Sequence, residues 1–173
     1  MYHPVANRRN RNFKGKAKYH TRTARPAKYF LIDFGLSRKY TGDDCPMEIP
    51  ILGGDKTVPE FQGEGEYQPH DPFPTDIYYL GNMIREDFLQ KTKGLDFIKP
   101  LVDDMVQDDP TKRPTIGEVV KRFNESMASL SYWKLRSRLV DVDDPTPLSS
   151  IHHLFRTLIH ILTFRSPIPS ITT

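Results

Sequence analysis

The stretch YFLIDFGLS, Tyr29–Ser37, decides how this chain is read. Four apolar residues (Tyr29, Phe30, Leu31, Ile32) deliver an acid, an aromatic and a glycine, Asp33-Phe34-Gly35. A compact apolar run ending at a turn predicts a short buried strand over residues 28–32. The turn comes early, with only 32 residues before Asp33.

Downstream, residues 36–75 are rich in glycine and proline and predict a long irregular segment, a kind that is usually functional or disordered. A helix is predicted to start near Thr75–Asp76, with Thr75 as its cap, and to run past Ile77, Leu80, Ile84 and Phe88 at helical spacing. A second helix is predicted over about Leu95–Met105, kinked or delayed by Pro100. A third follows Pro114. There Thr115 and Glu118 have capping-box spacing, and Val119, Val120 and Phe123 form the expected buried face. Residues 140–150 read as an acidic linker. A last amphipathic helix is predicted from 151, capped by Ser149 or Ser150, with Ile151, Leu154, Phe155, Leu158, Ile159 and Leu162 on one side.

Four motifs therefore stand in order: Asp33-Phe34-Gly35, Val58-Pro59-Glu60, Asp76–Gly81 and Asp109-Pro110 through Arg113-Pro114. Together they resemble the C-terminal lobe of a protein kinase, and are similar to the kinase-like proteins numerous in fungi. The resemblance covers roughly residues 28–130. It implies a mainly α fold: a partial kinase-like lobe (28–139) with a short β element and a long activation-like segment. It also implies Ser/Thr-type phosphotransferase ancestry, with ATP and Mg2+ as cofactors. Asp33 matches the magnesium ligand of the nucleotide-binding triplet, together with Phe34 and Gly35. Glu60 and Arg113 match a structural ion pair that anchors the activation segment. Asp76 matches the acid that braces the catalytic loop, and a helix-capping role is the plain alternative.

Phosphoryl transfer needs its parts assembled together. The sequence before Asp33 has one glycine, Gly15, and no Asp or Glu, so no Gly-rich loop and no catalytic-loop acid can be placed there. No strand lysine can be assigned either. The expectation is a truncated, inactive kinase-like chain, with no residue present to act as catalytic base. Its central helix would lack part of its usual cover, leaving the lobe marginally stable unless a partner, or the terminal helix, packs there. The competing reading is a non-catalytic, kinase-derived interaction module.

Charge adds a third reading. Residues 1–28 hold nine Lys/Arg and no acid, whereas the remainder holds sixteen bases against 22 acids. Residues 1–27 thus read as a basic, disordered arm, with Tyr2, Phe13 and Tyr19 interspersed as in binders of nucleic acid or other acidic surfaces. One cysteine, Cys45, excludes an intrachain disulfide. No secretory leader and no apolar run of membrane-spanning length is evident, which predicts an intracellular, cytoplasmic or nuclear protein. Ser37, Tyr40, Thr41 and Thr57 in the activation-like segment are candidate phosphorylation positions, with Arg38 nearby.

Overall fold

The computed structural model describes residues 9–10, 12–17, 29–30, 32–42, 44–51, 54–143 and 147–168. These residues are mainly helical: α1 (Pro72–Ile84), α2 (Lys99–Met105), α3 (Ile116–Ala128), α4 (Tyr132–Arg136) and α5 (Pro147–Leu162). One small antiparallel sheet pairs β1 (Thr92–Lys93) with β2 (Val140–Asp141), in the register Thr92 to Asp141 and Lys93 to Val140. The chain divides into two compact units, one of Met1–Gly35 with Leu158–Thr173 and one of Leu36–Thr157.

In the larger unit the core forms where α1, α2 and α3 meet. Ile77, Leu101, Met105 and Val119 pack together there, with Leu80 partly buried against them. Gly81 makes the α1–α2 approach possible. A Cβ at that position would lie 2.7 Å from Met105 Cβ and 2.9 Å from Val106 Cγ1. Val58, in the irregular segment, is fully buried, so this segment has an anchored end despite lacking regular structure.

The helix boundaries follow local chemistry. α1 begins earlier than predicted, because Asp71 caps it by accepting from the Phe73 amide and Pro72 suits the first turn. Thr75 therefore lies inside the helix, and Asp76 is not a first-turn acid. Beyond Ile84 the chain loosens into a π turn, Arg85–Leu89, where Phe88 is exposed. Pro100 marks a late start: a 3-10 turn, Asp96–Ile98, precedes α2. The capping box of α3 is fully formed. Glu118 N donates to Thr115 Oγ1 at 3.4 Å, and Thr115 N donates to Glu118 Oε2 at 2.8 Å. Only Val119 of its predicted apolar face is buried, while Val120 and Phe123 are exposed. α5 starts at Pro147, so Ser149 and Ser150 lie within it. Its predicted apolar stripe is exposed.

The strand expected over 28–32 is not seen at its described residues, 29, 30 and 32. Tyr29, Phe30 and Ile32 are exposed coil, and Leu31 lies outside the described residues. A strand needs a neighbour to satisfy its backbone groups, and among the described residues no strand pairs with this run. Most of the basic arm also lies outside the described residues. Arg9 and Lys16 pair in an antiparallel bridge, with positive φ at Phe13 (63°) and Gly15 (77°) between them.

Candidate functional site

Asp33 has a left-handed backbone (φ 64°), a conformation costly for a residue with a Cβ but tolerated by Asp in turns. A 3-10 turn, Phe34–Leu36, follows directly, and Asp33, Phe34 and Gly35 are all exposed. The local turn predicted from the sequence is thus present, but not at the end of a buried strand. Among the described residues no group of three or more His, Cys, Asp or Glu gathers to hold a metal ion. A single exposed carboxylate is a poor magnesium site without a second protein ligand or substrate phosphates. The described residues do not fit a magnesium–nucleotide site.

Glu60 and Arg113 do meet. The guanidinium grips the carboxylate in bidentate fashion, Nη1 to Oε1 at 2.7 Å and Nη2 to Oε2 at 2.6 Å. The Arg113 side chain is 0% exposed and that of Glu60 is 5%. Every Arg113 donor is used. Nε donates to the Gln107 carbonyl at 2.8 Å, Nη1 also to Pro74 O at 3.1 Å, and Nη2 also to Asp108 O at 3.4 Å. The guanidinium lies over the Tyr78 ring at 4.9 Å. Thr75 Oγ1 donates to Glu60 Oε1 at 2.9 Å. Burial pushes the Glu60 carboxyl upward, but hydrogen bonds from Arg113, its own backbone and Thr75, with the guanidinium charge, outweigh this and hold its pKa below the ordinary value. One ion pair thus ties the end of the irregular segment to α1 and to the turn before α3.

A second cluster was not evident from the sequence. Thr57 N and Oγ1 donate to Asp55 Oδ1 at 2.9 and 2.7 Å. Buried Asn82 donates from Nδ2 to Asp55 Oδ2 and, at 3.2 Å, to Thr57 Oγ1. Arg85 Nε donates to Asn82 Oδ1 at 3.0 Å, and Tyr78 OH donates to Thr57 O at 3.0 Å. Burial raises the Asp55 pKa, but donors from Thr57 and Asn82 and the Arg85 charge bring it below the ordinary value. The sequence offered no signal for it: Asn82 falls on the side of the helix away from the predicted Ile77, Leu80, Ile84 and Phe88 stripe, and only the structure shows it buried.

Asp76 takes no part in the hydrogen bonds of this cluster. It is exposed and has no hydrogen-bond partner among the described residues. Protein atoms crowd its carboxyl without donating, and this desolvation raises its pKa. Tyr79, one residue on, is also raised, by burial first and then by the charges of Asp55, Asp76 and Glu60.

The early part of the segment is held separately. Arg38 Nη1 reaches both Glu48 oxygens at 2.6 and 2.7 Å, and Tyr40 OH donates to Glu48 Oε1 at 2.6 Å. Glu48 exchanges backbone hydrogen bonds with His70 at 2.8 and 2.9 Å, and the Tyr40 ring meets Phe73 edge-on at 5.8 Å. Hydrogen bonds from Tyr40 and Arg38 depress the Glu48 pKa. Arg38 is therefore engaged with a carboxylate in this structure.

These side chains form an anchoring site. They lock a loop to a three-helix core. Searches of family models, curated proteins and solved structures each found no match to this chain.

Proposed function

We propose that residues 36–130 are the anchoring part of a protein-kinase-like C-terminal lobe, and that this chain works as a non-catalytic interaction module rather than transferring phosphate itself. The observation that carries the reading is the buried Glu60–Arg113 pair. It joins a Val-Pro-Glu at the end of a long irregular segment to an Asp-Pro…Arg-Pro turn 53 residues on, as the resemblance implies for an activation segment tethered to its lobe. Exposed Asp76 supports the same reading. In that family the matching acid braces a catalytic loop, and here its carboxyl is desolvated yet undonated. The exposed Phe73 and Met83 on the same helix leave apolar surface for a partner.

Incubation with magnesium and γ-labelled ATP, using a mixed Ser/Thr peptide pool as acceptor, tests the proposal. The chain should transfer no label above a no-protein control. Transfer that Asp33→Asn abolishes would overturn it and return the chain to the catalytic reading.

A further inference from the structure

The Arg9–Lys16 bridge sets two cations directly opposite each other. Opposed residues of an antiparallel pair share one face, and like charges so placed repel. Lys14 lies in the turn between them, and Arg9, Lys14 and Lys16 are all exposed. Among the described residues no carboxylate pairs with any of the three. Hydrogen bonds hold the turn in spite of this repulsion. Phe13 N donates to Asn10 O at 2.9 Å, Asn10 Nδ2 to Lys14 O at 3.0 Å, and Lys14 N to Asn12 Oδ1 at 3.0 Å. The turn presents Phe13 at 48% exposure. The Arg9 guanidinium stands over that ring, 5.6 Å from its centroid. Three cations are thus gathered around an exposed aromatic side chain, with no carboxylate among the described residues to neutralise them.

Charge and composition select the ligand. Residues 1–28 hold nine Lys/Arg and no acid, so the partner is a polyanion. The same residues include Val5 but no Leu or Ile, which leaves too little aliphatic bulk for a bilayer surface. A single-stranded nucleic acid offers both things the turn can use. Its phosphates relieve the repulsion between Arg9 and Lys16, and its unstacked bases present flat faces to an aromatic ring. A duplex carries the phosphates but keeps its bases stacked on one another. We propose that the Arg9–Lys16 bridge and its Phe13 turn form a contact site for single-stranded nucleic acid, with phosphates beside Arg9, Lys14 and Lys16 and a base stacked against Phe13.

Fluorescence anisotropy of the full chain with labelled oligouridylate and oligothymidylate, each about twelve nucleotides long, tests this over a salt series. The chain should bind at least one of them, and the tighter of the two tells RNA from DNA. The same strand annealed to its complement should bind more weakly. Phe13→Leu keeps every charge, so its loss reports on stacking. It should weaken binding at least about fivefold and leave the salt slope unchanged. Arg9→Gln with Lys14→Gln and Lys16→Gln should lower that slope by about 2, because each phosphate contact in a single strand contributes about 0.7. All four side chains are exposed, so the circular dichroism melt should hold. If a variant unfolds, ultraviolet cross-linking of the wild-type chain to oligouridylate replaces it, and the adduct should map to Phe13. No binding, equal binding by Phe13→Leu and wild type, tighter binding of the duplex, or an adduct only at other residues would overturn the proposal. So would heparin or phosphatidylserine vesicles that bind as tightly as the strands and ignore Phe13→Leu, which would assign the arm to acidic surfaces in general.

Discussion

Breaking the Glu60–Arg113 pair should be among the most damaging changes this fold can suffer. Both side chains are buried, at 0% and 5% exposure, and the contact is bidentate at 2.6–2.7 Å. Removing one partner of such a pair costs about 3–5 kcal/mol, because the other charge is stranded. The two single changes should fail differently. In Arg113→Met the stranded Glu60 can escape by taking up a proton. At pH 7 that limits the cost to roughly 4 kcal/mol, the work of protonating an acid whose ordinary pKa is about 4.3. The destabilisation should therefore shrink as pH falls from about 7 toward 5. In Glu60→Gln the stranded Arg113 cannot lose its proton. It keeps the Gln107, Pro74 and Asp108 carbonyls, so its penalty should persist across that pH range. Urea unfolding followed by circular dichroism gives the free energies. The double variant Glu60→Gln/Arg113→Met should be more stable than the sum of the single losses predicts, by about 2 kcal/mol or more. Additive losses, or a pH dependence shared by both single variants, would refute the pairing argument.

Other outcomes follow from the packing and the titrations. Gly81→Ala should lower the melting temperature. The new methyl meets Met105 Cβ and Val106 Cγ1 inside 3 Å, and overpacking costs about 1–3 kcal/mol against the roughly 1 kcal/mol that Ala gains over Gly in a helix. Thr115→Ala should cost about 1 kcal/mol by opening the α3 capping box, and Thr115→Ser should recover most of it in the same melt. Stability should also fall in acid. The carboxyls of Glu60, Asp55, Asp109 and Glu118 all lie below their ordinary values in the folded chain. Their contribution is complete above the unfolded pKa, near 4, and is lost as pH drops through the lower folded values. A urea midpoint that stays constant from about pH 6 to 3 would contradict this.

What the sequence revealed was largely what is local. The capping box at Thr115 and Glu118 needs four consecutive residues, and it formed as read. Pro100 delays α2 because a proline fits a first turn and not a helix interior. The Asp71 cap of α1 was hidden by the prolines at 72 and 74, which suggested irregular chain when the first of them in fact starts a helix. The pairing of Glu60 with Arg113, 53 residues apart, was legible only because the two lie in motifs whose order resembles a known lobe. The strand read at 28–32 was overturned at its described residues, which are exposed coil, because apolar composition signals burial only when another element is there to receive it. α4, five residues long, is too short to show a period. The stripe of α5 was plain from spacing, but spacing cannot say whether a stripe faces a core or the outside.

The central claim is that one buried ion pair fastens the irregular segment to the helical core. Amide hydrogen exchange on the Glu60→Gln variant tests it most directly. The account predicts faster exchange at residues 58–61, 75–78 and 113–119 together, because the segment end, α1 and the turn into α3 meet at that pair. Acceleration confined to 58–61, with 75–78 and 113–119 exchanging as in the wild type, would contradict it.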